Sequence, residues 1–462
     1  MRRSFIMLIT LLLAAVLLVS ASAICVSELQ DSVSVTEEVL AGDPAAANGL
    51  QLQIQSVYDN HLVWDSVFSP AAAAQTQTSF QFVSNLENES TDYYASAYLE
   101  MGILNYTMHF GGAGGGDLEA EESDPVGRFA SDYATMLKPA IDVASRTAAG
   151  ETRTETLRLR DYYEYFKIGV ETHVGGSKSG QILPDEAQSA AQRARVQELF
   201  RIPVSEDLTV DVSVTKDNSG AITEVCCNEN KQSTKGVVFD ACAEEALYGA
   251  FVGYEDSRPD LSYMPQGNGI YTIPMDKVDG RNYYAAVERM ENVYPLPVDT
   301  MVEAVLMADD GRHLLLFTKE DGQFVLTVIR RDTMQAVQHM SFAAQYRPAV
   351  WRSDDLLVVR YLAQEEERTY VRAYVRQDDA YTLWMEAPFC EGVADNDYTM
   401  PEIVFDGSRL AMGQLQDNWG VSSCWLQVFD QSGLLYGGRY LHSGDRVPRG
   451  LGNTGRNSLR LT

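Results

Sequence analysis

Between Met301 and Leu441 the chain repeats one pattern of apolar and polar positions three times. Each unit starts from a polar turn and runs into an aliphatic strand. It then turns again and passes through an aromatic-rich alternating strand to a weaker closing strand. The units open at ADDGRHLLLFT, RSDDLLVVRYL and FDGSRLAMGQL, and their second strands are FVLTVIRRD, YVRAYVRQD and WLQVFDQSG. In YVRAYVRQD, Val371, Ala373 and Val375 fall on one face and Arg372 and Arg376 on the other, because side chains alternate along a strand. In HLLLF and LLVV the apolar run is unbroken, as expected of strands covered on both faces.

The first strands open at Leu314, Leu356 and Leu410, 42 and 54 residues apart, and the second at Phe324, Tyr370 and Trp425, 46 and 55 apart. Blades of propeller-type proteins occupy roughly 40 to 50 residues. On this spacing Met301 to Leu441 resembles β-propeller-like repeat proteins. The resemblance implies a mainly β chain with an irregular β-propeller-like repeat domain. Three units are too few to close a ring of about four to eight blades, so earlier strands must supply the rest. A scaffold of this kind names no chemistry.

Before the repeats, QLQIQSV and HLVWDSVF alternate about YDN, a hairpin signal, and SFQFVSN and YYASAYLEMGILNYTMHF continue the β character. The stretch AGDPAAANGLQLQIQSVYDNHLVWD resembles the start of a group of uncharacterised surface proteins of Gram-positive bacteria, a likeness that brings no activity or site. Two helical insertions are expected. One runs from Arg128 to Arg146, with Pro139 to kink it, and the other follows Pro184 from Asp185 through DEAQSAAQRARVQELF. TETLRLRDYYEYFKIGVETHV returns to strand, and DLTVDVSVTKDNSGAITEV reads as a hairpin turning at DNSG.

At the amino terminus Arg2 and Arg3 precede a stretch with no charge until Glu28. Phe5 to Val26 is long enough for an uncleaved transmembrane anchor, and Ala21-Ser22-Ala23 equally offers a signal-peptide cleavage site. Either reading keeps the arginines in the cytoplasm and sends the rest outside. Cleavage after Ala23 would make the protein secreted. Cys25 follows Ile24, a bulky residue that fits a lipoprotein box badly. The expected organisation is therefore residues 1–26 as signal anchor or signal peptide and 27–48 as stalk. Residues 49–442 form the extracytoplasmic domain, with an alternative sub-boundary near 260, and 443–462 a flexible basic tail that could dock on the acidic body.

A formal net charge of −29 disfavours nucleic acid as a partner, since it repels phosphate and offers no basic stripe. The six cysteines show no zinc-ligand spacing. In an exported domain Cys226 or Cys227 with Cys242, and Cys390 with Cys424, could form disulfides. His61, His109, His173, His313, His339 and His442 are scattered, and His313, after a DGR turn, is the one expected nearest a central pocket. Asp309-Asp310, Asp354-Asp355, Asp378-Asp379 and Glu365 to Glu367 read as solvated turns, and Asp395 to Asp397 lacks the rest of a calcium loop. GGAGGG at Gly111 to Gly116 lacks the spacing of a phosphate loop, and Ser213-Val-Thr-Lys216 places an SxxK match in a strand rather than a helix. The tyrosine clusters at Tyr93 and Tyr94, Tyr162 to Phe166, and Tyr283 and Tyr284 could form a platform, with strand or core packing as the ordinary reading.

No catalytic, cofactor-binding or metal-binding residue is assigned from sequence. The expected function is a non-enzymatic, membrane-tethered ligand-binding, sensing or interaction module at a bacterial cell surface. Its partner would be a protein or glycan, and the membrane through Phe5 to Val26. A surface hydrolase acting on glycan or peptide is the alternative.

Overall fold

A computed structural model describes residues 2–58, 62–82, 93–100, 106–109, 137–166, 168–176, 179–229, 236–252, 261–353, 355–390, 401–418, 421–442 and 456–462. The chain forms two compact units, one of residues 1–88 with 348–462 and the other of residues 89–347.

In chain order the first unit opens with α1 (Arg2–Ser32), β1 (Val35–Gly42), β2 (Leu52–Tyr58), β3 (Leu62–Phe68) and β4 (Gln77–Phe82). The second unit begins with β5 (Tyr94–Glu100), β6 (Tyr106–His109), α2 (Leu137–Arg146), β7 (Thr152–Arg158), β8 (Gly169–Gly175), β9 (Gly180–Gln181) and α3 (Glu186–Leu199). It continues through β10 (Thr209–Lys216), β11 (Ile222–Glu229), β12 (Gly236–Ala243), β13 (Ala246–Val252), β14 (Gly269–Asp279), β15 (Asn282–Ala285) and β16 (Glu291–Pro295). It ends with β17 (Met301–Met307), β18 (His313–Glu320), β19 (Gln323–Arg330) and β20 (Gln335–Phe342). The first unit then resumes with β21 (Ala349–Ser353), β22 (Leu356–Leu362), β23 (Thr369–Gln377), β24 (Ala380–Pro388) and β25 (Glu402–Phe405). The last strands are β26 (Leu410–Asn418), β27 (Val421–Asp430), β28 (Gly433–His442) and β29 (Arg456–Leu461).

The fold is mainly β, and the three sequence repeats are three antiparallel meanders, β17–β20, β21–β24 and β25–β28. Each has four strands, one more than its pattern announces, because β17, β21 and β25 precede the turn that starts the recognisable unit. The burial pattern agrees with the reading of the strands. The first six residues of both β18 and β22 are buried, whereas β23 buries Val371 and Ala373 and leaves Arg372 and Arg376 half-buried; past the irregularity between Ala373 and Tyr374 the expected alternation fails, with Tyr374 buried and Val375 half-buried.

In the first unit the two chain ends are exchanged. The N-terminal strand β1 pairs antiparallel with β28 and makes the C-terminal meander five-stranded, while the C-terminal strand β29 pairs antiparallel with β2 in the sheet β29-β2-β3-β4. Val35 to Gly42, expected to be stalk, is therefore a sheet strand, with Val35 buried and Asp43 capping the short Pro44–Ala47 turn that follows. The basic tail is likewise corrected over its final residues. Arg456 to Leu461 form β29, Leu461 is buried, and Thr462 and Gln51 exchange backbone hydrogen bonds of 2.9 and 3.0 Å. A polar strand gains this place by satisfying the edge of β2, whose Leu52 and Ile54 are buried on the core side. Arg446 and Arg449 lie outside the described residues. The core gathers Leu52, Phe68, Leu426, Val428, Tyr436 and Tyr440 in one cluster and Val358, Val371, Met412, Trp425 and Phe429 in another.

In the second unit β10 and β11 form the expected hairpin, with Asp217 Oδ1 accepting from the Ser219 and Ala221 amides at 2.8 and 2.9 Å. The second helical insertion starts at Asp185 as expected, and Asp185 caps α3 in a capping box with Gln188. Of the first helical insertion, Leu137–Arg146 is described; Pro139 stands in its first turn, where a missing N–H costs little. The strand expected across TETLRLRDYYEYFKIGVETHV breaks at the single turn Leu159–Asp161, so that β7 and β8 enter different sheets.

α1 exposes Leu11, Leu12, Leu17 and Leu18 by more than half. Among the described residues no helix is long and apolar enough to cross a membrane.

Candidate functional site

The site is a cleft of about 480 Å³ in the first unit, where four chain segments converge. β1 contributes Leu40 and Ala41; the end of β24 and the residues after it contribute Glu386 to Cys390; the β27–β28 turn contributes Ser432 to Leu434; and the β22–β23 turn contributes Arg368. Successive side chains of a strand point to opposite faces, so runs of consecutive lining residues mean that the cleft cuts across strand ends and edges. Main chain as well as side chains faces it.

Two local departures from regular β structure open this space. Val39 pairs with Gly438 and Ala41 with Gly437, which leaves Leu40 as the extra residue of a β-bulge, a device that re-aims a side chain. β24 ends at Pro388, which has no N–H to offer a further strand. Both edges facing the cleft are thus blunted against strand addition.

The floor is made by buried side chains. Ala387, Phe389 and Cys390 are each buried, and the Phe389 ring meets Trp425 edge-on with centroids 5.4 Å apart. The Cys390 amide donates to Gln427 Oε1 at 2.9 Å. Gly437 leaves room for the thiol, since a Cβ there would stand 2.5 Å from Cys390 Sγ.

One carboxylate stands at the rim. Glu386 accepts from the Tyr361 hydroxyl at 2.9 Å and from Nη2 of Arg372, its register partner on β23, at 3.2 Å, and the Arg372 Nε lies 3.1 Å from its other oxygen in an ion pair. Burial first, and then this carboxylate, push the Tyr361 hydroxyl well above the ordinary tyrosine value. The Arg372 guanidinium lies 5.0 Å from the Tyr361 ring centroid, so the charge on Glu386 is answered across the sheet.

The residues singled out in the sequence stand elsewhere. His313 is buried at the start of β18 and bonds through Nδ1 to Asp310 Oδ2 at 2.7 Å. Asp310 Oδ1 also accepts the Arg312 and His313 amides at 2.8 and 3.1 Å, so the pair is a turn cap. Although burial opposes it, these donors hold the Asp310 carboxyl below its usual range. Asp406 makes the same cap on the Ser408 and Arg409 amides at 2.8 and 2.7 Å in the third repeat. His109 pairs with Glu224, His173 with Glu171, and His339 meets Thr327; His61 and the His442 side chain lie outside the described residues.

Asp355 bonds Arg376 and Glu366 accepts from Tyr370, while Asp321, Glu367 and Asp378 hold positive φ in tight turns. Ser213 lies on β10 facing Thr154, 3.0 Å away, which fits the rejection of the SxxK match. Tyr163, Phe166, Tyr283 and Tyr284 are buried and Tyr93 packs tilted against Tyr283 with ring centroids 4.5 Å apart, so these clusters belong mainly to the core; Tyr162 and Tyr165 are half-buried and Tyr94 is exposed. Gly111 to Gly116, Asp354 and Asp395 to Asp397 lie outside the described residues, among which no group of three potential ligands could hold a metal ion.

The suggested disulfides are not formed, and all six cysteines are free of disulfide bonds. Cys226 and Cys227 lie on β11 in the sheet with β6, β10 and β7, whereas Cys242 lies on β12 in another sheet. Burial pushes the Cys424 thiol up to about 12.

No family model and no curated protein matches the chain. Among solved structures, a 6-phosphogluconolactonase-like protein from Bacteroides fragilis aligns over 85% of this chain and 95% of its own at 9% identity, with a TM-score of 0.30. The β-propeller domain of Cps50 (Swd1) from Myceliophthora thermophila covers 50% of this chain and 82% of its own at 12% identity, TM-score 0.24. The β-propeller domain of the Trilobed protease from Pyrococcus furiosus covers 54% and 71% at 12% identity, TM-score 0.23. At these values the likeness assigns neither ligand nor activity.

Proposed function

We propose that this chain is a non-enzymatic ligand-binding module whose four-stranded meanders are propeller-like blades. The observation that carries the binding reading is the cleft beside Phe389, with its bulge at Leu40, buried Ala387, Phe389 and Cys390 in its lining, and polar and apolar surface facing it in similar measure. Concave sites of several hundred Å³ that combine apolar surface with placed polar groups are the usual form of small-ligand sites. The hydrolase alternative draws less support from this cleft. Its lining holds one carboxylate, Glu386, already engaged by Tyr361 and Arg372, whereas glycoside hydrolysis takes two carboxyl groups facing one bond.

The test is a thermal-shift survey of the full chain against a panel of small metabolites and short peptides, run beside Ser432→Trp. Ser432 is exposed at the rim, so a bulky ring there fills the cleft without entering the core. Compounds that raise Tm in the wild type and not in Ser432→Trp support the reading; a panel with no such compound contradicts it.

A further inference from the structure

We infer that this cleft takes a small uncharged ligand by a carbonyl oxygen, which lodges behind Phe389 on the N–H groups of Gln427 and Trp425. The assignment rests on the binding reading above. Both side chains are fully buried on β27, two residues apart and hence on one face of the strand. Gln427 Nε2 and Trp425 Nε1 have no hydrogen-bond partner among the described residues. The Gln427 amide is fixed in its orientation, because Oε1 accepts the Cys390 amide at 2.9 Å. Its NH2 is therefore the end left over, and an indole N–H can only donate. Buried donors without an acceptor are costly, and nearly all of them in folded proteins have a partner.

Both donors stand one layer behind the lining of the cleft. Cys390, which holds Gln427, and Phe389, whose ring meets Trp425 edge-on at 5.4 Å, are adjacent lining residues. The Phe389 amide donates to the Thr369 carbonyl at 2.8 Å, so both amides of this pair are held and the Phe389 ring is the part left to turn aside. Donor-only groups call for an acceptor. Trp425 belongs to a buried cluster with Met412 and Phe429, where a carboxylate taken out of water would need a counter-charge, so the acceptor is a neutral one. Leu40 and Leu434 add apolar surface to that of Phe389, and a volume of about 480 Å³ suits a single ring with a short chain.

The experiment is NMR of the full chain labelled with [15N]tryptophan, in which the Trp425 indole N–H is assigned among the five tryptophans by its loss in Trp425→Phe. Acetophenone and ethylbenzene, which share ring and chain and differ in the carbonyl oxygen, are titrated in turn. The expected result is a saturable downfield shift of the Trp425 N–H with acetophenone alone, and a Kd roughly tenfold weaker in Gln427→Met, as loss of one hydrogen bond implies. An equal response to ethylbenzene, or equal acetophenone affinity in Gln427→Met, overturns the assignment. So does a Trp425 resonance that acetophenone leaves unmoved, and a cross-peak from that N–H to water would then give the donors to an internal water instead. The comparison of the two probes on the unaltered chain decides even where Gln427→Met does not fold. Failure here leaves the binding reading standing wherever the Ser432→Trp survey finds a compound.

Discussion

Glu37 of β1 accepts a hydrogen bond of 2.7 Å from the hydroxyl of Tyr436 on β28, across 399 residues of sequence. The same hydroxyl lies 2.6 Å from that of Tyr440, and both tyrosine rings are fully buried. Burial is the main cause that raises both phenols well above the ordinary tyrosine value; at Tyr436 Glu37 adds to it against the lowering effect of the Tyr440 hydrogen bond, and at Tyr440 the Tyr436 hydroxyl adds to it. Next to them Glu38 pairs with Arg439, and Arg409 donates to the carbonyls of Ala46 and Asn48 at 3.0 and 3.2 Å. The amino-terminal strand and the turn after it are thus fastened to the last meander by part-buried and exposed polar contacts as well as by the strand's ladder.

Replacing Tyr436 by Phe removes a buried hydroxyl and leaves Glu37 and Tyr440 short of a partner. The expected loss is about 1 to 2 kcal/mol, read as a lower urea midpoint at unchanged m. An unchanged midpoint would mean that β1 is held by its backbone ladder alone.

Deleting residues 456–462 turns β2 into an edge strand and removes the buried Leu461. The side chain by itself is worth about 1.5 to 3 kcal/mol, so the shortened chain is expected to be less stable and prone to associate through β2. Light scattering and limited proteolysis in β2–β4 test this; a truncated chain as stable and monodisperse as the parent would show β29 to be dispensable.

At Gly437 a Cβ would meet Cys390 Sγ at 2.5 Å and Cys390 Cβ at 3.1 Å. Gly437→Ala should cost about 1 to 3 kcal/mol by overpacking, and Cys390→Ala, by removing the sulfur, should recover part of that loss. A double-mutant cycle measures the coupling. Additive effects would place the strain somewhere other than this contact.

The turn aspartates set an acid limit. The Ser408 hydroxyl, joined by the Ser408 and Arg409 amides, holds the Asp406 carboxyl far below the usual carboxylate range, and the Ser432 hydroxyl lowers Asp430. A folded value below the unfolded one gives stabilisation that is present above about pH 4 and lost as pH falls through the depressed folded values. Glu402 works the other way. Burial raises it against the pull of Arg460, so its contribution fades as pH rises through the raised value. Urea midpoints from neutral pH downward should therefore fall most steeply below the ordinary carboxylate range, and Asp406→Asn with Asp430→Asn should flatten that fall. An unaltered slope in the double variant would assign the acid limit to other groups.

Much of the scaffold was legible because it is local. The aliphatic runs at Leu314, Leu356 and Leu410 and the alternation at Phe324, Tyr370 and Trp425 each placed a strand correctly, and Asp185 after Pro184 placed the start of a helix. The first strands of the meanders escaped because β21 and β25 are only 5 and 4 residues long, too short to show a period. The exchange of chain ends escaped for a different reason. VTEEVLAG and RNSLRL are polar segments whose strand character comes from partners at the far end of the chain. The cleft was hidden most completely. It is made of four segments, a bulge that local sequence does not mark, and a rim cation, Arg368, that reads as one charge among many in EEER.

The most direct measurement of the central claim is hydrogen exchange on the full chain with and without the compound that gives the largest Ser432-dependent thermal shift. Protection gathered at Leu40 and Ala41, at Glu386 to Cys390 and at Ser432 to Leu434 is the expected result. Protection confined to strands of the second unit, or none in these three segments, would contradict the assignment of this cleft as the ligand site.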